Sequence, residues 1–138
     1  MSSFSIQAGA TYLIPIPGTQ KHLNLIVFGP FIPSGYSTPH IIIVNITTLK
    51  APGVGDQTCV LNRGDHEFID HKSIVNYPTT KCIPVSQFLI DFSSGRYTPK
   101  QPMKVEVLEA IFKGLMLSKH TPRKIKVMLT SNQNEATG

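Results

Sequence analysis

Along the first 85 residues, apolar positions come in short runs separated by proline, glycine and small polar residues, the punctuation of strands joined by turns. "ATYLIPI" (10–16) reads as a first strand, with "PGT" (17–19) as a turn signal after it. "LNLIVFG" (23–29) is a second strand, and "PFIPSGYSTP" (30–39) a proline-bounded loop. "HIIIVNITTL" (40–49) is apolar almost throughout, the pattern of a strand buried on both faces at the centre of a sheet. A Gly-rich loop, "KAPGVGD" (50–56), leads to "QTCVLN" (57–62), "HKSIVNY" (71–77) and "TTKCIPV" (79–85), three more strand-like runs. The period then changes. "PVSQFLIDFSSG" (84–95) predicts a short helix stopped at Ser94-Gly95. In "MKVEVLEAIFKGLMLS" (103–118), Leu108, Ile111, Phe112, Leu115 and Met116 form a stripe at helical spacing, between Pro102 and Pro122. "KIKVML" (124–129) alternates and predicts a final strand or a lysine-edged tail, and "TSNQNEATG" a flexible end. Six short strands followed by helices predict a mainly-β, α+β domain. Its strands would form a small curled barrel or bent sheet covered at one end by the C-terminal helix, with residues 1–130 as one compact domain and 131–138 as a tail.

A chain of 138 residues is long enough for one domain with a real core and too short for two comfortable domains. No apolar run reaches the roughly 18 residues of a membrane helix, and "MSSFSIQAGATYLIPIPG" lacks the basic-then-apolar order of a signal peptide. The expectation is a cytoplasmic protein without a membrane partner. Cys59 and Cys82, the only cysteines, then read as core thiols. The net charge of +5 is unevenly spread, because basic groups outnumber acids only beyond residue 94. Such a bias marks either a face that meets phosphates or an acidic partner, or a merely solvated helix face.

The chemistry concentrates in "NRGDHEFIDHKSIVNY" (62–77). A metal reading would use His66, Asp70 and His71. The odd separation of the two histidines puts them on opposite sides of a strand, and no third histidine or cysteine stands nearby. No metal and no cofactor is expected. "RGDH" predicts a turn with Gly64-Asp65 at its tip and Phe68-Ile69 returning to the core. Two readings stay open for the remaining polar groups: an acid–base centre, or the polar rim of a strand pair. "APGVGD" lacks the lysine and glycine spacing of a phosphate loop, and no serine sits in a nucleophile elbow.

The order of these segments resembles the PemK/MazF family of toxin-like ribonucleases. "GATYLIPI" looks like that family's opening strand, "HLNLIVFGPF" its second, and "IIIVNITTL" its third, which ends in a catalytic threonine or serine. "SIVNY" with "TTKCIPV" is similar to the later strand pair, and "VLEAIFKGLML" to the terminal helix. The resemblance covers roughly residues 9–117. It departs in two places. Lys21 and His22 stand where the family has an arginine, and the loop before them is only "PGTQK".

The resemblance implies an SH3-like small barrel, a homodimer, and a metal-independent endoribonuclease of a toxin–antitoxin or related bacterial or phage defence system. Such an enzyme cleaves single-stranded RNA by attack of the 2′-hydroxyl, with an antitoxin or other neighbouring-gene protein as partner. His22 and Thr47 occupy the family's catalytic places, and His71 supplies a second acid–base group whose ordinary pKa lies near neutrality. Lys21, Thr48, Arg63, His66, Lys72 and Ser73 are the candidate RNA contacts, the cations among them suited to charge developing at phosphorus. The alternative is a non-catalytic barrel module that binds a protein or nucleic acid through the basic C-terminal third.

Overall fold

A computed structural model of the chain describes residues 4–14, 22–51 and 53–137, with side chains up to residue 131. Seven antiparallel strands form one sheet: Thr11–Ile14 (β1), His22–Phe31 (β2), His40–Thr48 (β3), Val60–Leu61 (β4), Ser73–Val75 (β5), Lys81–Pro84 (β6) and Thr98–Lys100 (β7). Three helices accompany it: Val85–Ser93 (α1), Val105–Leu117 (α2) and Arg123–Thr137 (α3). The chain is mainly β within an α+β architecture, with a helix at its C-terminal end. The sheet stays open. Its order is β4-β5-β3-β2-β1-β7 with β6 also on β3, and β4 and β7 are not bonded to each other.

β3 is the central strand, as its unbroken apolar run requires. One edge pairs with β2, from Leu23↔Ile46 to Phe31↔His40. The other edge is shared, β6 taking His40–Ile43 and β5 taking Ile46–Thr48. A 3₁₀ turn at Tyr77–Thr79 moves the chain from β5 to β6, and Asn76 N–H bonds Asn45 O (2.9 Å) in the gap between them. The β2 ladder shifts register around Gly29-Pro30. Gly29 has φ +113°, and a Cβ there would lie 2.9 Å from His40 O, so only glycine lets the backbones approach so closely.

Side-chain alternation along β2 and β3 separates two cores. Leu23, Leu25, Val27, Ile42, Val44 and Ile46 share one face with Ile111 and Leu115 of α2 and Ile125 and Leu129 of α3. Tyr12, Ile26, Ile41 and Ile43 share the other with Phe88 of α1. The second core is largely aromatic: Tyr12 meets Phe88 edge-on at 5.2 Å, and Phe4 stacks on Phe92 at 4.9 Å. The residue spacing of α1 explains its place, since Phe88 and Phe92 are four apart on one stripe; Gly95 (φ +83°) ends the helix.

Two expectations are corrected. "KIKVML" is neither strand nor tail but part of α3, whose helix runs on to Thr137. Pro122 O accepts from Ile125 N–H and Lys126 N–H, so the proline starts this helix rather than merely following α2. Burial then follows the helical period: Ile125 and Leu129 are 4% and 0% exposed while Val127 is 54% exposed. Alternation in sequence had the wrong partner surface. The strand β7 escapes the sequence pattern, because it reads only Thr-Pro-Lys. It lies at the edge of the sheet, where a proline costs no shared ladder on its outer side.

Candidate functional site

Where β2 begins and β3 ends, an open cleft of about 950 Å³ gathers polar side chains from three separate segments. His22 opens β2. Carrying the Leu23↔Ile46 register one residue further sets it beside Thr47. Thr47 pairs with Ile74 and Thr48 with Ser73, and Leu49 N–H to Lys72 O (2.9 Å) continues the ladder toward His71. His22, Thr47, Thr48, His71 and Ser73, all selected from sequence, therefore line one cleft. Lys21 lies outside the described residues. Arg63 and Lys72 are exposed but do not line it, and His66 is elsewhere in the core.

The cleft straddles the end of the sheet. Leu23, Ile46 and Val75 point into the core under α2 and α3, so His22, Thr47 and Ile74 alternate to the opposite face. Thr48 and Ser73 return to the side of α2 and α3. His71 stands free of both, with 75% of its side chain exposed and Nε2 3.8 Å from Asp70 Oδ1. An ion pair this exposed stabilises little and leaves the ring mobile. Ser73 Oγ donates to His71 O (2.9 Å), which fixes the backbone but not the imidazole.

Sequence reasoning passed over Lys50 and Glu67 in this cleft, weighed Asp70 only as a metal ligand and sent Phe68 to the core. Lys50 supplies a cation where Arg63 and Lys72 do not. Its position just after the two threonines that end β3 was the available signal. Phe68 is 38% exposed beside Ile69, which is 4% exposed. One side chain thus anchors this wall while its neighbour offers a ring to the cleft.

His66, expected among the RNA contacts, is a structural residue. It is 4% exposed and both ring nitrogens are engaged. Phe68 N–H donates to Nδ1 (3.0 Å), which requires a lone pair there and leaves the proton on Nε2. Nε2 meets Gln101 O at 2.6 Å and Thr11 Oγ1 at 3.1 Å, while the Thr11 hydroxyl donates to Gln101 O (2.6 Å). One imidazole thereby ties the 62–69 turn to β1 and to the segment before α2. The turn itself forms as its sequence implies, with Gly64 at φ +98° and Asp65 Oδ2 accepting from Asn62 N–H (2.7 Å). Lys104 Nζ closes it from outside on Gly64 O (2.8 Å).

A second polar junction holds the Gly-rich loop. Asp56 accepts from Thr58 N–H (3.0 Å) and Thr58 Oγ1 (2.6 Å), and its other oxygen accepts from Ser118 Oγ, the C-cap residue of α2. Ser118 Oγ in turn accepts from His120 N–H (3.0 Å). Burial pushes the Asp56 carboxyl up, but these donors outweigh it, with His120 adding to them, and hold it below its usual range. Both cysteines are free, and burial pushes both thiols up, so neither is a ready nucleophile. The described residues contain no group of three His, Cys, Asp or Glu able to hold a metal. A second hollow of about 680 Å³, between the N-terminal segment and residues 99–108, is lined largely by apolar groups such as Phe4, Pro102, Val105 and Leu108. It collects none of the selected residues, so the chemistry belongs to the first. No family model, curated protein or solved structure matches the chain.

Proposed function

We propose that this protein is a toxin-like, metal-independent endoribonuclease that cleaves single-stranded RNA in the cleft between the start of β2 and the end of β3. The observation that carries this reading is the convergence there of His22, Thr47, Lys50 and His71 from segments far apart in sequence. One histidine takes the proton from a 2′-hydroxyl as its oxygen attacks the adjacent phosphorus. The other gives a proton to the departing 5′-oxygen, leaving a 2′,3′-cyclic phosphate and a 5′-hydroxyl. Lys50 faces the charge that develops on the phosphoryl oxygens, the hydroxyls of Thr47 and Thr48 orient the strand, and Ser73 holds the His71 backbone. The Phe68 ring offers a stacking surface for a base. The resemblance to PemK/MazF toxins supports the same chemistry. It extends the proposal to a cytoplasmic homodimer held in check by an antitoxin or other neighbouring-gene protein.

The test is incubation of folded protein with labelled RNA in EDTA. Cleavage with a bell-shaped dependence on pH is expected, and alanine at His22 or His71 should slow it roughly 10²–10⁴-fold. RNA left intact at large protein excess would overturn the reading and favour a non-catalytic binding module.

A further inference from the structure

We infer that the corner between α2 and α3 is a second RNA-contacting surface, which holds phosphates of the strand flanking the one in the cleft. This rests on the cleft being an RNA site. The corner is strongly basic: residues 110–134 hold Lys113, Lys119, Arg123, Lys124 and Lys126 with no acid among them. Lys119, His120, Arg123 and Lys124 are exposed. The ion pairs of the described residues are His71 with Asp70 and Arg96 with Asp91, so none of these cations is paired there.

Their position does not serve the helix. The first turn of α3 carries no acidic residue, and Arg123 and Lys124 sit at the positive end of its dipole, where cations are unfavourable. Nor do they serve the packing, which Ile125 and Leu129 provide from the opposite stripe. A cluster placed against the local electrostatics fits an external polyanion.

Geometry joins this corner to the cleft. The Gly-rich loop leaves the cleft at Lys50 and is fixed to the corner at Asp56 by Ser118, whose hydroxyl also holds His120 N–H. Six residues of extended chain reach at most about 21 Å. The corner therefore lies within the span of a short single strand, given that such sites engage roughly 4–16 nucleotides. A phosphate backbone asks only for cations at intervals, which is what a basic helix start and its preceding loop provide.

The experiment uses the full chain and a 12-nucleotide 2′-O-methyl RNA, which cannot undergo 2′-hydroxyl attack. Affinity is measured by fluorescence anisotropy at several salt concentrations. The triple variant Lys119→Gln/Arg123→Gln/Lys124→Gln should flatten the slope of log K against log salt by roughly 0.7 for each phosphate no longer neutralised, about 2 in all. The charge-keeping variant Lys119→Arg/Lys124→Arg should keep the wild-type slope. The difference should vanish as the probe shortens to three nucleotides. A triple variant that binds the 12-mer with the wild-type slope overturns the inference, even where the wild type cleaves RNA. Corner-dependent binding of a poly-glutamate peptide, with the RNA slope unaltered, also overturns it and assigns the surface to an acidic protein. A wild type that shows the corner-dependent slope but cuts no RNA instead removes the cleavage reading and leaves the second surface standing.

Discussion

Replacing His66 by alanine removes an imidazole that bridges three segments, and the cost can be worked from its hydrogen bonds. Those to Gln101 O (2.6 Å) and from Phe68 N–H (3.0 Å) both disappear. Gln101 O keeps the Thr11 hydroxyl as a donor, so only the Phe68 N–H loses its partner outright. A net hydrogen bond contributes about 0.5–1.5 kcal/mol, and a buried group left unsatisfied costs about 1–3 kcal/mol. With the packing of a ring that is 4% exposed also removed, the total comes to roughly 2–4 kcal/mol. For a domain of this size that corresponds to a fall in Tm of about 10 °C. Thermal unfolding followed by circular dichroism measures it, alongside RNA binding below the transition. His66→Ala should unfold early yet bind RNA as the wild type does, while His71→Ala should keep its Tm. A His66→Ala protein with unchanged Tm and abolished RNA affinity would refute the reasoning.

Leu129→Ala should cost about 2–5 kcal/mol and Val127→Ala less than about 0.5 kcal/mol, as measured by urea unfolding; equal effects would deny α3 its helical packing. At Gly114 an added methyl would overlap the Tyr77 hydroxyl and approach Cys59 Cβ at 3.2 Å, so Gly114→Ala should destabilise by roughly 1–3 kcal/mol despite its better helix propensity. A stabilised variant would show that α2 does not sit against Tyr77. Tyr77→Phe loses the bond to Ile111 O (2.8 Å) together with the hydroxyl's contact with the Cys59 thiol, and should cost about 1–2 kcal/mol in the same assay. Asp56 is held below its ordinary carboxyl value, so its contribution to stability is complete above about pH 4 and is lost as pH falls through its folded-state value. Asp56→Asn should remove that part of the acid destabilisation; wild type and variant curves that stay parallel down to acid pH would exclude the clamp.

The sequence by itself determined the first six strands and which run is central, because those depend on local period and burial on both faces. "HIIIVNITTL" became β3, and "VLEAIFKGLML" became α2, for reasons contained within each segment. The turn at Gly64-Asp65 was equally local, requiring a positive φ and a short acceptor side chain. Tertiary structure decided the rest. Whether "KIKVML" alternates onto a sheet or winds onto one depends on the surface it meets, and α2 with β2 and β3 offered a groove suited to Ile125 and Leu129. β7 exists only because β1 had a free edge for it. The same holds for the two histidines of "DHEFIDH", which sequence could not tell apart. His66 went inward because Thr11 and Gln101, 90 residues apart in the chain, converge on its Nε2. His71 met no such partners and remained at the cleft. Hydrogen-bond partners 35 and 55 residues away leave no trace in local pattern, so the role of a polar side chain is settled only when the fold brings them together.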